Sequence, residues 1–144
     1  MIGAVLDANV IVSAILVPSG PPGQVLTKWR AEQFALVTSP AILDEIERVL
    51  NYQRIATRHG LAPDQVRALV TELGYFSTVV EGKTRLAVIR EDPADDRYLE
   101  AAVEGRASYI VSGDRILLAL ETYEDIEILT ARQFLGVLPK VPTE

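Results

Sequence analysis

The residues of this chain best suited to chemistry are carboxylates. Asp7 closes the run Met1-Ile2-Gly3-Ala4-Val5-Leu6-Asp7, and Glu45 lies in Ser39-Pro40-Ala41-Ile42-Leu43-Asp44-Glu45-Ile46. Asp92, Asp95 and Asp96 crowd the segment Asp92-Pro93-Ala94-Asp95-Asp96, and Asp114 ends Val111-Ser112-Gly113-Asp114. There is no cysteine and one histidine, His59. A disulfide framework, thiolate zinc, a cysteine nucleophile and a histidine-rich metal site are thereby excluded. Two like charges about 4 Å apart repel by roughly 4 kcal/mol at a partly buried site. Acids that converge must therefore protonate or be neutralised by a cation. With oxygen donors alone, a hard divalent ion such as Mg²⁺ or Mn²⁺ fits best. Such a site lowers the pKa of bound water and stabilises charge on a phosphate.

The elements that must position these acids alternate along the chain. Ile2 to Leu6 is a short apolar run, expected as a buried strand. Helix signals follow from Ala8 to about Leu16, and Pro18 to Gly23 reads as a loop. Val25, Leu26 and Trp29 are at helical spacing in a helix from about Gln24 to Ala31. Phe34 to Val37 is a second strand. Ser39-Pro40 opens a helix with serine as N-cap and proline in the first turn, running to about Asn51. Another helix follows Pro63, with Val66, Leu69, Val70 and Leu73 on one face. Ser77 to Val80 is a weaker third strand. Asp92-Pro93 opens a helix that ends near Gly105. Tyr109 to Val111 and Ile126 to Leu129 are the fourth and fifth strands. Thr130 and Gln133 form a capping box for the last helix, which Pro139 ends. This order predicts a three-layer α/β/α domain over residues 1–144 with a mainly parallel five-stranded sheet.

In an open parallel sheet, ligands bind outside the carboxyl ends of the strands. Asp7 follows the first strand and Asp114 the fourth, so both belong at that edge. Asp92, Asp95 and Asp96 open the helix that leads into the fourth strand, and such a helix begins at the same edge. Glu45 lies in the helix after the second strand. Each acid also has a purely structural reading. Asp7 and Asp114 are placed to cap the helices after them. Asp92 before Pro93 reads as an N-cap, with Asp95 third in the helix and favoured by its dipole. Asp96 has no capping role and lies one turn before Leu99, at the margin of the buried face. Glu45 and Glu47 flank opposite edges of the stripe Ile42, Leu43, Ile46, Val49 and Leu50, and periodicity does not choose between them. Asn9 would orient a carboxylate or satisfy the helix start. Ser112 would join the site or end its strand. His59, in Arg58-His59-Gly60, reads as an exposed helix end. Lys28, Arg30, Arg54 and Arg58 would edge a substrate path or simply face solvent.

Bulk properties narrow the function classes. The chain has 144 residues, 49% of them hydrophobic, enough for one domain with a real core. Its start carries no basic stretch before an apolar one, so no signal peptide is expected. No apolar run reaches the ~18 residues of a membrane helix. The expectation is a cytoplasmic protein without a membrane partner. A net charge of −6 argues against tight non-specific binding of long nucleic acid, though not against metal-assisted chemistry on it. Gly20 to Gly23 is no phosphate-binding loop, because no Gly-Lys-Ser/Thr follows.

Together, Leu6-Asp7-Ala8-Asn9-Val10, Ser39 to Ile46, Asp92 to Leu99 and Val111 to Asp114 resemble the PIN-domain family in composition and order. Within it they most resemble the bacterial, VapC-like branch of toxin components from toxin–antitoxin pairs. The resemblance runs from Ile2 to about Leu138. It implies a Mg²⁺- or Mn²⁺-dependent ribonuclease with the metal held by Asp7, Glu45, Asp96 and Asp114, the catalytic residues. It selects Glu45 over Glu47 and Asp96 over Asp95, and gives Asn9 and Ser112 supporting roles. RNA as substrate, a cognate antitoxin and a homo-oligomer are the partners it implies. Two other readings stand beside it. One is a catalytically silent PIN-like module that binds RNA or a protein. The other is an aspartyl-phosphate phosphatase with Asp7 as nucleophile, weakened by Asn9 standing where a second aspartate is usual and by the lack of a lysine near the later motifs. Receiver domains fail on the same missing pair of acids.

Overall fold

The computed structural model describes residues 1–139; residues 140–144 of the expected domain lie outside them. The first strand, β1 (Gly3–Leu6), is buried at Ala4, Val5 and Leu6 alike, so side chains on both of its faces are covered. Helices α1 (Ala8–Leu16) and α2 (Pro21–Arg30) lead to β2 (Ala35–Thr38). Next come α3 (Pro40–Leu50), α4 (Gln53–His59), α5 (Pro63–Tyr75) and the two-residue β3 (Thr78–Val79). A single 3₁₀ turn (Pro93–Asp95) enters α6 (Asp96–Glu104), which precedes β4 (Tyr109–Val111). The chain continues through α7 (Arg115–Leu120), β5 (Thr122–Tyr123), β6 (Ile126–Leu129) and α8 (Ala131–Val137).

The six strands lie in the order β3-β2-β1-β4-β6-β5. All pairings are parallel except β5 with β6. The fold is thus a mainly parallel sheet flanked by helices, as the alternation of elements predicts. Helix α6 packs on β1, β2 and β4, while α1 packs on α2 and α3, and α2 on α8. Phe34 and Phe134 meet edge to face at 5.0 Å, tying α8 to the start of β2.

Three elements depart from the sequence reading. The sheet has a sixth strand, β5, too short to leave a periodic signal. Helix α2 begins at Pro21, inside the expected loop, because prolines in a first turn need no N–H partner and Gly20 supplies the cap position. Gly23 then sits so close to Pro18 that a Cβ would lie 2.0 Å from its carbonyl oxygen. Helix α4 was not expected as a separate element. His59 ends it, but half-buried rather than exposed: Nε2 bonds the Leu50 carbonyl at 2.8 Å and Nδ1 receives the Leu61 N–H at 2.9 Å.

The caps agree with the sequence. Ser39 Oγ receives the Ile42 N–H at 3.3 Å, and Thr130 and Gln133 form their reciprocal box at 3.1 and 2.9 Å. Between β3 and the 3₁₀ turn, the extended segment 81–91 pairs with no strand. It runs instead along an acidic stripe of α6, at i, i+4 and i+8. Glu104 receives the N–H groups of Gly82, Lys83 and Thr84 at 2.9–3.0 Å. Glu100 receives that of Leu86 at 2.9 Å, and Asp96 Oδ1 those of Val88 and Ile89 at 3.1 and 3.0 Å. Gly82, at φ +80°, makes the turn that aims three successive N–H groups at one carboxylate.

Candidate metal centre

The site forms where β1 and β4, adjacent in the sheet, release their chains at the carboxyl edge. Asp7 is 2% exposed. Its Oδ1 receives the Asn9 N–H at 3.0 Å, capping α1, and its Oδ2 receives the Ser112 hydroxyl at 2.7 Å. Asp114 caps α7 in the same manner through the Ile116 N–H at 2.8 Å, and its own N–H reaches Ser112 Oγ at 2.9 Å. Capping and site roles therefore coincide. A carboxylate offers about four acceptor positions, and one N–H occupies only one of them.

Asp95 completes the centre. One carboxylate oxygen from each of Asp92, Asp95 and Asp114 lies within 4.8 Å of the others. Asp95 is 7% exposed, and its Oδ2 is buried with no hydrogen-bond partner. Burial pushes its pKa up to about 8, helped by the Asp114, Asp92 and Asp7 carboxylates. Burial likewise raises Asp7, against the lowering effect of the Asn9 N–H and the Ser112 and Tyr98 hydroxyls. Asp92 caps the 3₁₀ turn through the Ala94 N–H at 3.2 Å, in keeping with its sequence reading, and faces the cluster as well.

The structure brings Asp92, Asp95 and Asp114 together, with Asp7 beside them, joined to Asp114 through Ser112. It does not bring Asp96 to them: Asp96, 4% exposed, gives its Oδ1 to the 81–91 segment. Glu45 stands on the rim. Its Oε2 receives the Tyr98 hydroxyl at 2.6 Å and lies 3.6 Å from Arg97. Glu47 instead pairs with Arg67 at 3.3 Å, away from the centre. Tyr98 links Glu45 to the base of α1, where its oxygen receives the Ala8 N–H at 3.4 Å. Its burial and the nearby Asp7 and Glu45 charges hold its phenol protonated, as a donor. Sequence reasoning passed over Tyr98. The available signal is its position three residues after Asp95, on the same helical face, with a polar handle that needs a partner when buried. Ser112 is 1% exposed and bridges Asp7 to Asp114, whereas the Asn9 side chain is exposed and only its N–H touches Asp7.

An all-oxygen donor set, a buried carboxylate oxygen without a donor, and acids crowded enough to hold a proton near neutral pH fit a hard divalent cation. They do not fit an aspartyl nucleophile at Asp7, whose two oxygens are buried and held by donors. The carboxylates lie at the switch between β1 and β4, where parallel α/β sheets bind their ligands. The chain belongs to the PIN domain family, whose model matches residues 3–116. It is also similar to the uncharacterized protein MJ1680 of Methanocaldococcus jannaschii, with 29% identity over 119 residues, covering 83% of this chain and 75% of the relative. PIN domains are generally nucleases that bind divalent metal ions. Among the described residues no single helix is long and apolar enough to cross a membrane.

Proposed function

We propose that this chain is, in one domain, an endoribonuclease dependent on Mg²⁺ or Mn²⁺. The observation that carries the reading is the Asp95 carboxylate, clustered with Asp92 and Asp114 and left with one buried oxygen, Oδ2, without a hydrogen-bond partner. Asp92, Asp95 and Asp114 would hold the ion together with Asp7, with Glu45 at the margin. The ion would offset the carboxylate charge, acidify water and stabilise charge on a phosphate. The chain's own residues do the positioning. Ser112 fixes the rotamers of Asp7 and the turn of Asp114. Tyr98 holds Glu45 at the rim, and Arg97 partly balances its charge. Asp96 anchors the segment that delivers Asp92 and Asp95 to the edge.

The test is cleavage of unstructured RNA with Mg²⁺, Mn²⁺ or EDTA, by wild type and by Asp7→Asn and Asp95→Asn. The reading expects divalent-dependent cleavage lost in both variants. Cleavage that survives EDTA, or survives both substitutions, would overturn it. A role as the toxin of a toxin–antitoxin pair rests on the motif resemblance. It expects growth arrest on expression, relieved by Asp7→Asn at equal soluble protein, and capture of a small antitoxin encoded nearby. Equal arrest by wild type and variant would separate any toxicity from the acidic centre. Localisation in the cytoplasm and self-association belong to the same proposal.

A further inference from the structure

Beside the acidic centre, the carboxyl edge of the sheet carries a cleft of about 620 Å³. Asn9 and Ser13 of α1, Ser112 and Asp114 of the β4–α7 loop, and Thr130 and Arg132 at the start of α8 line it. Ser112 and Asp114 belong to both the centre and the cleft. The cleft lies beyond β4 and β6, which are neighbours in the sheet, so a polymer following that edge passes directly from one to the other.

The fold leaves key polar groups of this cleft unengaged. Thr130 Oγ1 is committed to the Gln133 N–H, but the Asn9 side chain is exposed, with only its backbone N–H bound at Asp7. Arg132 is exposed and takes part in none of the four ion pairs among the described residues. Among the described residues it is also the only cation lining this cleft. On the other flank of the centre a second cleft, of about 400 Å³, contains Arg85 and Arg97. Those guanidinium groups are occupied: Arg97 by the Ala94 carbonyl and Glu45, Arg85 by the Gly82 and Thr84 carbonyls. In a chain of net charge −6, an unpaired cation in the cleft that shares Ser112 and Asp114 with the carboxylate centre invites an anion there.

We infer that this cleft seats the nucleotide flanking the reacting phosphate of a single-stranded RNA. Arg132 takes that nucleotide's phosphate, and Asn9 and Ser13 take its sugar or base edge. A planar guanidinium matches phosphate oxygens in pairs, and amide and hydroxyl side chains are common partners of sugar and phosphate. A concave seat suits a splayed single-strand nucleotide better than a duplex. The inference rests on the ribonuclease reading and gives its strand a direction: anchored on the Arg132 side, loosely held on the Arg97 side.

The test compares wild type, Arg132→Ala and Arg132→Lys, with Mn²⁺, on a hexaribonucleotide and a dinucleotide monophosphate. For the hexamer, Arg132→Ala should raise KM roughly tenfold with little change in kcat. It should also lower the slope of log KM against log salt by about 0.7, one single-strand phosphate contact. Arg132→Lys should recover part of the loss. The penalty should shrink to under about twofold for the dinucleotide, which has no flanking phosphate. An unchanged KM, or an equal penalty on both substrates, would overturn the seat. Anisotropy of a labelled hexaribonucleotide on the same proteins separates this from failure of the underlying reading. Binding that depends on Arg132 without cleavage keeps the seat and overturns the nuclease. Binding indifferent to Arg132 overturns the seat, and neither binding nor cleavage overturns both.

Discussion

Two groups of acids lie within a few residues of each other around α6, and they are treated oppositely. Asp96, Glu100 and Glu104 each receive backbone N–H groups from the 81–91 segment, six donors on three carboxylates. Asp92, Asp95 and Asp114 face one another, with an Asp95 oxygen left bare. The pKa values record the contrast. Glu104 is held down at about 2 by the N–H groups of Thr84, Gly82 and Lys83, while Asp95 is pushed up to about 8 by burial and its neighbours' charge. A carboxylate surrounded by donors is finished structure. One surrounded by carboxylates is an incomplete site that a cation would complete. The adjacent residues Asp95 and Asp96 fall on either side of that line.

The largest effect expected from breaking the contrast is on cleavage. Asp95→Asn should lower the rate by more than the roughly 10–100-fold that loss of a supporting partner around a metal commonly costs. Asp96→Asn, assayed below its melting temperature, should stay within that range. Denaturant melts reverse the order. Asp96→Ala strips the acceptor from the Val88 and Ile89 N–H groups, and each donor left unsatisfied costs about 1–3 kcal/mol to the extent that it is buried. Asp95→Ala should leave metal-free stability near wild type or above it, since it removes a self-repelling charge.

The pH dependence of the metal-free protein gives a smaller and more specific signal. Burial and the neighbouring Asp114 carboxylate raise Asp95 from its ordinary 3.8 to about 8, so between those values the native state, in which Asp95 and its neighbours share the charge, holds the extra proton. Stability contributed by this group therefore falls as pH rises from about 4 to about 8. Its slope is at most about 1.4 kcal/mol per pH unit. Asp95→Asn should flatten that limb, and saturating Mn²⁺ should reverse it. A limb that rises with pH in EDTA and is untouched by Asp95→Asn would contradict the crowding.

Glu104 gives the smallest effect and the opposite sign. Its folded pKa lies below the unfolded 4.5, so its contribution is whole above about 4.5 and is lost as pH falls toward 2. Glu104→Gln should blunt only that acid limb in urea melts and leave cleavage near neutral pH alone.

Much of the frame was legible because it follows from local chemistry. Ser39-Pro40, Thr130 with Gln133, and Asp92-Pro93 announce helix starts whatever the tertiary context, and all three are seen. The edge shared by Asp7 and Asp114 followed from the parallel alternation of strands and helices. The proposed choice of Asp95 over Asp96 did not follow. Residues 93–95 form a 3₁₀ turn, which advances about 120° per residue rather than 100°. The motif resemblance selects Asp96, and the extra turn per residue that re-aims Asp95 leaves no local mark in the sequence. Asp95, Tyr98, Leu99 and Ala102 share the buried face, and Asp96, Glu100 and Glu104 run along its flank. That flanking i, i+4, i+8 series of acids is visible in the sequence. Such a series ordinarily means a solvated face, and nothing local says that a strand-like segment will use it as a row of acceptors. β5 and α4 were missed for a simpler reason: two and seven residues carry too little periodicity.

The central claim is that the carboxylates crowded around Asp95, not the row beginning at Asp96 that receives the 81–91 segment, hold the cation. Isothermal titration of Mn²⁺ into wild type, Asp95→Asn and Asp96→Asn tests it most directly, because it needs no substrate and no turnover. Wild type and Asp96→Asn should bind with the same stoichiometry and similar affinity, and Asp95→Asn should bind at least roughly tenfold more weakly. Wild-type binding retained by Asp95→Asn but lost in folded Asp96→Asn would contradict the account.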